Sequence, residues 1–164
     1  MFIKNSIIRS RMEEIMKIGI ANDHNGVELK QELTKFLTDM GYDVINYGTD
    51  TTDRTDYTTY GFKVGEAVRD KEVDFGIAIC GSAVGISIAC NKVKGVRCGK
   101  LNSVKDAVHG RECDFINVIA LAASTPIAEN KDIVLAYINS HENTSDPAYI
   151  KRVNDIKEYE NRNI

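Results

Sequence analysis

The chain has 164 residues, a formal net charge of −3, 43% hydrophobic residues and 27% charged residues. That is enough chain for one domain around one core, with the composition of an ordinary globular protein. No basic stripe marks a nucleic-acid binder, no apolar run nears the ~20 residues that span a bilayer, and the four cysteines lack zinc-ligand spacing. Reduced thiols in a cytoplasmic protein are therefore expected, with no metal, no membrane and no nucleic acid.

Residues 1–15 mix basic and apolar side chains without a signal-peptide pattern, and read as a loosely ordered extension before a single domain over 16–164. A first strand is expected at 17–21, running into the polar cluster 22–26. Val27, Leu29, Leu33, Phe36, Leu37 and Met40 then recur at near-helical spacing, and Gly41 is a good helix stop. A strand at 44–47, a polar loop to 56 and a helix at 60–69 follow. Residues 74–79 are apolar enough for a strand buried on both faces. Then come a small-residue helix at 84–91, a short strand at 96–98 and a helix at 103–112 with Ser103 as N-cap. A fifth strand is expected at 115–121, a helix from Pro126 to about 137, and a charged helix from Pro147 to 160.

Strands alternating with helices predict an α/β, three-layer Rossmann-like fold: a five-stranded parallel sheet with helices on both faces. Ligands in such folds sit beyond the carboxyl ends of the strands. The clusters 22–26, 80–85 and 98–103 are therefore expected on one rim. A dinucleotide-binding module is disfavoured, because no G-x-G-x-x-G follows the first strand.

Residues 78–92 carry the most chemistry. An apolar run stops at Cys80, a Gly-Ser-Ala-Val-Gly turn follows, and a helix begins. A strand feeding such a turn into a helix N-terminus presents free N–H groups and the positive end of a dipole, which suits an anion or oxyanion. A thiol beside such a terminus loses its proton more easily. Base plus oxyanion cradle is equipment for moving a proton next to a carbonyl. The plainer alternatives stay open from the residues alone: Cys80 as a buried small hydrophobe, Asp23 as a helix cap, His24 as a surface histidine and Tyr57 as loop packing. Cys90 and Cys98 read as core fillers.

The segments ANDHNG at 21–26, NYGT at 46–49, RTDY at 54–57, CGSAVGISIACNK at 80–92, GVR at 95–97 and NVI at 117–119 stand in a recognisable order. Together they resemble the B-type ribose-5-phosphate isomerases and the related galactose-6-phosphate isomerase subunits, over about residues 16–155. The resemblance implies aldose–ketose interconversion of a sugar phosphate through an enediolate, as in the pentose phosphate pathway, with no metal and no organic cofactor. It implies that Cys80 shuttles the proton. Ser82 and the amides of Gly81, Ala83, Val84 and Gly85 would cradle the enediolate oxygen. Asp23 and His24 would lie beside the sugar and phosphate, and Tyr57 near the mouth of the site. It also implies a homodimer or tetramer with a shared site, the C-terminal helix packing on the partner.

Some positions depart from that pattern. The family's ring-opening histidine is matched by Cys113 in Arg111-Glu112-Cys113-Asp114. His109 lies one helical turn earlier, so His109 or Asp114 is expected to take over part of the role. Two phosphate-binding arginines are matched by Ser124 and Ala148, while Arg152 remains. Each lost charge-assisted contact is worth roughly 1.5–3 kcal/mol. Arg97, expected to point toward the rim, is a candidate replacement with Arg54, Lys100 and His24. Ala83 stands where glycine is common and is expected to narrow the cradle. A different pentose or hexose phosphate, or a non-catalytic sugar-phosphate-binding subunit, are the alternative readings.

Overall fold

The computed structural model describes residues 14–162, so most of the extension expected at 1–15 lies outside the described residues. Strands β1 (Lys17–Asn22), β2 (Asp43–Asn46), β3 (Phe75–Cys80), β4 (Cys98–Lys100) and β5 (Val118–Ala122) form one sheet. All pairings are parallel, in the order β2-β1-β3-β5-β4. Helices α1 (Val27–Asp39), α2 (Tyr57–Arg69), α3 (Val84–Asn91), α4 (Val104–Cys113), α5 (Ile127–Asn139) and α6 (Pro147–Glu160) supply the connections and the C-terminal segment.

Alternation along the strands sorts side chains by size. Ile18, Ile20, Phe75, Ile77, Ile79, Ile119 and Leu121 pack against Leu29, Leu33 and Leu37 of α1, Ala107 of α4 and Ile133, Val134 and Tyr137 of α5. On the other face Ala78, Cys80, Val118, Ala120 and Ala122 meet Val64, Ala67 and Val68 of α2 and Ile86 and Cys90 of α3. Small residues there let α2 and α3 approach the sheet closely, and they place the Cys80 side chain on the α3 side.

Two strands start later than expected. The ladder to β5 begins at Cys98↔Val118 rather than at Val96, because the Val96 amide is used in a turn to Val93 O. Phe115 has φ +51° and Ile116 N donates back to Gly110 O, so the chain turns there and β5 starts at Val118. The bounds of α3 and α6 coincide with the segments expected for them.

The β1 connection leads outward to β2, whereas the chain beyond β3 builds the opposite half of the sheet. The carboxyl ends of β1 and β3 therefore flank a topological switch point, the usual place for a ligand crevice.

Candidate active site

Asp23 directly follows β1. Its amide donates to Ile79 O at 3.1 Å, which ties the ends of β1 and β3 together. Its carboxylate caps the single 3-10 turn His24–Gly26, accepting from Asn25 N at 2.9 Å. Asn25 Nδ2 lies 3.4 Å from the same carboxylate. His24 is held by Thr55: its amide donates to Thr55 Oγ1 at 3.0 Å, and Nδ1 lies 3.2 Å from both the Thr55 N–H and its carbonyl.

Cys80 is the last residue of β3, and its carbonyl accepts from Ala123 N at 2.9 Å. The next carbonyl, Gly81 O, accepts from Ser124 N at 3.3 Å. The turn then passes through Ala83 at φ +65° and enters α3. Ser82 Oγ accepts from Val84 N at 3.3 Å. Among the described residues none accepts from the amides of Gly81, Ser82 or Ala83. A left-handed residue followed by helical ones makes a concavity of N–H groups, the geometry of an anion nest. Tyr57 closes one side: a Cβ on Gly85 would lie 2.7 Å from the Tyr57 ring, so only glycine permits this approach.

Cys80 is 4% exposed, set among Ala21, Ala83 and Ala122. The sulfur is thus shielded from solvent. Ala83 has no exposed surface. Its methyl belongs to the core under α3 and does not narrow the cradle, contrary to the expectation from sequence.

Other candidates lie at the opposite edge of the sheet. Helix α4 starts just past β4 and runs back toward the strand N-termini, about 15 Å along its axis. Its end carries Cys113, whose Sγ is 3.6 Å from His109 Nδ1. His109 Nε2 is 4.0 Å from Asp114 Oδ2. The Tyr149 phenol is pushed up in pKa, first by a hydrogen bond with Cys113, and Arg152 lies over the Tyr149 ring. The chain thus gathers Asp23, His24, Tyr57, Cys80, Ser82 and the turn amides on one rim, and it gathers His109, Cys113, Asp114 and Arg152 elsewhere.

Arg97 corrects a second expectation. It precedes β4, and its Nε donates to Phe115 O at 2.9 Å, so it serves the amino edge rather than the rim. Burial lowers its pKa from the ordinary guanidinium value. Arg54 and Lys100 remain on the carboxyl side, in the loop after β2 and at the end of β4. Cys90 is buried with its thiol on Gly61 O at 3.4 Å, and the Cys98 thiol is pushed up by its hydrogen bond to Cys90 and by burial. Among the described residues, no three His, Cys, Asp or Glu side chains are disposed to hold a metal ion.

The sequence profile of the ribose/galactose isomerase family matches residues 18–156. The chain belongs to that family. It is thus a sugar-phosphate aldose–ketose isomerase in class. The ribose-5-phosphate isomerase B of Escherichia coli is 42% identical over 107 residues, 65% of this chain and 72% of that protein. The structure of Clostridium thermocellum ribose-5-phosphate isomerase B superposes with TM-score 0.85 at 40% identity, covering 88% of this chain and 97% of that one. That of Mycoplasma genitalium ribose-5-phosphate isomerase B with bound ribulose-5-phosphate gives 0.84 at 31% identity, covering 90% and 98%.

Three residues that position groups in this isomerase were given no role of their own from the sequence. Asn25 lies beside Gly81, Thr55 holds His24, and Tyr149 meets Cys113. Asn25 could have been found from the polar cluster that contains it. Thr55 and Tyr149 carry no signal in spacing, since each meets its partner only through the tertiary fold.

Proposed function

We propose that this isomerase interconverts ribose 5-phosphate and ribulose 5-phosphate. The observation that carries the reading is the left-handed turn at Ala83, which leaves free amides directly beyond Cys80 at the β1/β3 switch point. In the proposed reaction the sulfur of Cys80, as thiolate, removes the C2 proton of the open aldose. Negative charge develops on the C1 oxygen, where the amides of 81–85 and the Ser82 hydroxyl receive it. Cys80 returns the proton to C1, and the O2 proton passes to O1, which yields the ketose. Asp23 and His24 take the sugar and phosphate ends, and Tyr57 covers the mouth. The apolar shell around Cys80 would keep water from the enediolate.

A homodimer is part of the proposal. Val84 and Ile88 on α3 and Ile156 and Tyr159 on α6 are exposed apolar side chains, a surface suited to a second copy. The pair Cys113–His109, with Asp114 and Arg152, would then serve the rim of the partner, where the resemblance places ring opening and phosphate contact. Four free thiols fit a reducing, cytoplasmic setting.

One set of observations favours a second reading. Ser124 and Ala148 supply no charge where the resembling family has arginine, so another pentose or hexose phosphate could be the substrate. The chain purified alone, tested on a panel of pentose and hexose phosphates, separates these. The expected result is turnover greatest on ribose 5-phosphate, with C2-proton exchange lost in Cys80→Ala. Turnover greatest on a hexose phosphate replaces the first reading with the second. No turnover of any sugar leaves a binding subunit, and unimpaired exchange in Cys80→Ala removes the sulfur from the mechanism.

A further inference from the structure

Lys30 is a buried ammonium, 3% exposed, on the second turn of α1. Buried lysines are rare unless paired, because the charge loses its hydration. Here Nζ donates to the Thr49 carbonyl, to Asp50 Oδ1 and to Asn46 Oδ1. All three acceptors lie on the segment that leaves β2. The Thr49 carbonyl also accepts from Asn22 Nδ2 at 3.0 Å, and that same amide group donates to Asp23 O at 2.8 Å. Thr49 N donates back to Asn22 O at 3.3 Å. The segment is seated so closely that a Cβ on Gly48 would meet Asn22 Oδ1 at 2.0 Å.

From this anchor the loop runs to Thr55, which grips both the amide and the ring of His24. A backbone N–H can only donate. It bonds a bare Nδ1, whereas the Thr55 carbonyl, also 3.2 Å away, would accept from a protonated one, so the loop holds the ring by Nδ1 and its exact seat biases which tautomer forms. We propose that Lys30 is a positioning residue: its ammonium roots the 48–55 loop and thereby sets the orientation and tautomer of His24. The inference rests on the proposed role of His24 at the sugar phosphate.

The chain has three histidines, so nitrogen-15 spectra of the full-length protein can be assigned by single His→Gln variants. In the wild type, His24 is expected to show one dominant tautomer. In Lys30→Met it relaxes to a mixture, and kcat/KM falls about tenfold. Lys30→Arg, which keeps donors and charge, restores both in part. If His24 signals in a folded Lys30→Met are those of the wild type, the proposal is wrong. Should Lys30→Met fail to fold, Asp50→Ala decides: Asp50 is exposed, and losing its bond to Lys30 must shift the same His24 signals, whereas unchanged signals overturn the proposal. Failure of the underlying reading looks different, because then His24→Gln itself leaves turnover intact.

Discussion

At the carboxyl rim, the candidate residues Asp23 and Cys80 are held by main-chain hydrogen bonds between neighbouring strand ends. At the far end of α4, His109, Cys113 and Asp114 hold one another across a largely solvated surface. The first arrangement is rigid because it is seated on β3 and β5, buried throughout, and on β1, buried beyond Lys17. The second is more open to change: Cys113 there is one departure from the family pattern, while Ser124 is another at the rim itself. A residue that must deliver a proton to one carbon needs sub-ångström placement. A group that assists ring opening or neutralises a phosphate tolerates substitution by a neighbour of similar chemistry.

The comparison breaks most sharply under Cys80→Ala. Truncating one shielded sulfur leaves the fold and costs little packing, yet C2-proton exchange should fall at least about a hundredfold, since general acid–base groups contribute roughly 10²–10⁴. His109→Ala should be milder, about tenfold on ribose 5-phosphate. An aldose phosphate too short to cyclise isolates proton transfer from ring opening, and His109→Ala should handle it as the wild type does. Equal losses on both substrates would place His109 in the proton-transfer step, and no loss on either would remove it from the reaction.

How far the sequence reveals this molecule follows the same division. The glycine-bearing turn before 84 and Pro147 mark the starts of α3 and α6, because helices report themselves locally. The start of β5 was hidden, since nothing in the identity of Phe115 announces φ +51°. At the candidate site, the rim placement of Asp23, Cys80 and Ser82 is legible because Asp23 follows β1, Cys80 ends β3 and Ser82 lies two residues beyond it. Arg97 misled for a related reason: proximity in the chain to the 80–92 motif does not tell which end of a strand a residue occupies. The support of His24 was invisible, since Thr55 reaches His24, and Lys30 and Asn22 reach Thr49, only after α1 and the loop after β2 have packed.

The amino edge also sets an alkaline limit on stability. Tyr137 is buried, donates to Ile116 O at 2.7 Å and accepts from Arg111 Nη1 at 3.1 Å. Burial pushes its pKa from 10.0 up to about 12. A folded-state pKa above the unfolded one means the contribution is complete below pH about 10 and disappears as pH rises toward 12. The shift corresponds to at most about 2–3 kcal/mol. Urea unfolding at neutral pH and at pH about 11.5 should show Tyr137→Phe less stable by about 1 kcal/mol at the former. The variant should lose less than the wild type between the two. Parallel losses would show that other groups govern the alkaline limb.

The smallest expected effect tests whether the nest is strained. Ala83 adopts φ +65°, a conformation that costs alanine about 1 kcal/mol and glycine nothing. Its methyl is fully buried, and removing it forfeits about 0.8 kcal/mol of transfer energy. Glycine also adds freedom to the unfolded chain, at about 0.4–1 kcal/mol. Relief and loss therefore nearly cancel, and Ala83→Gly should change stability by no more than about 1 kcal/mol, toward the less stable side. Since the methyl faces the core rather than the cradle, kcat/KM should stay within about twofold of wild type. A large gain in turnover would mean that the side chain does crowd the bound sugar, and that the turn moves when substrate arrives.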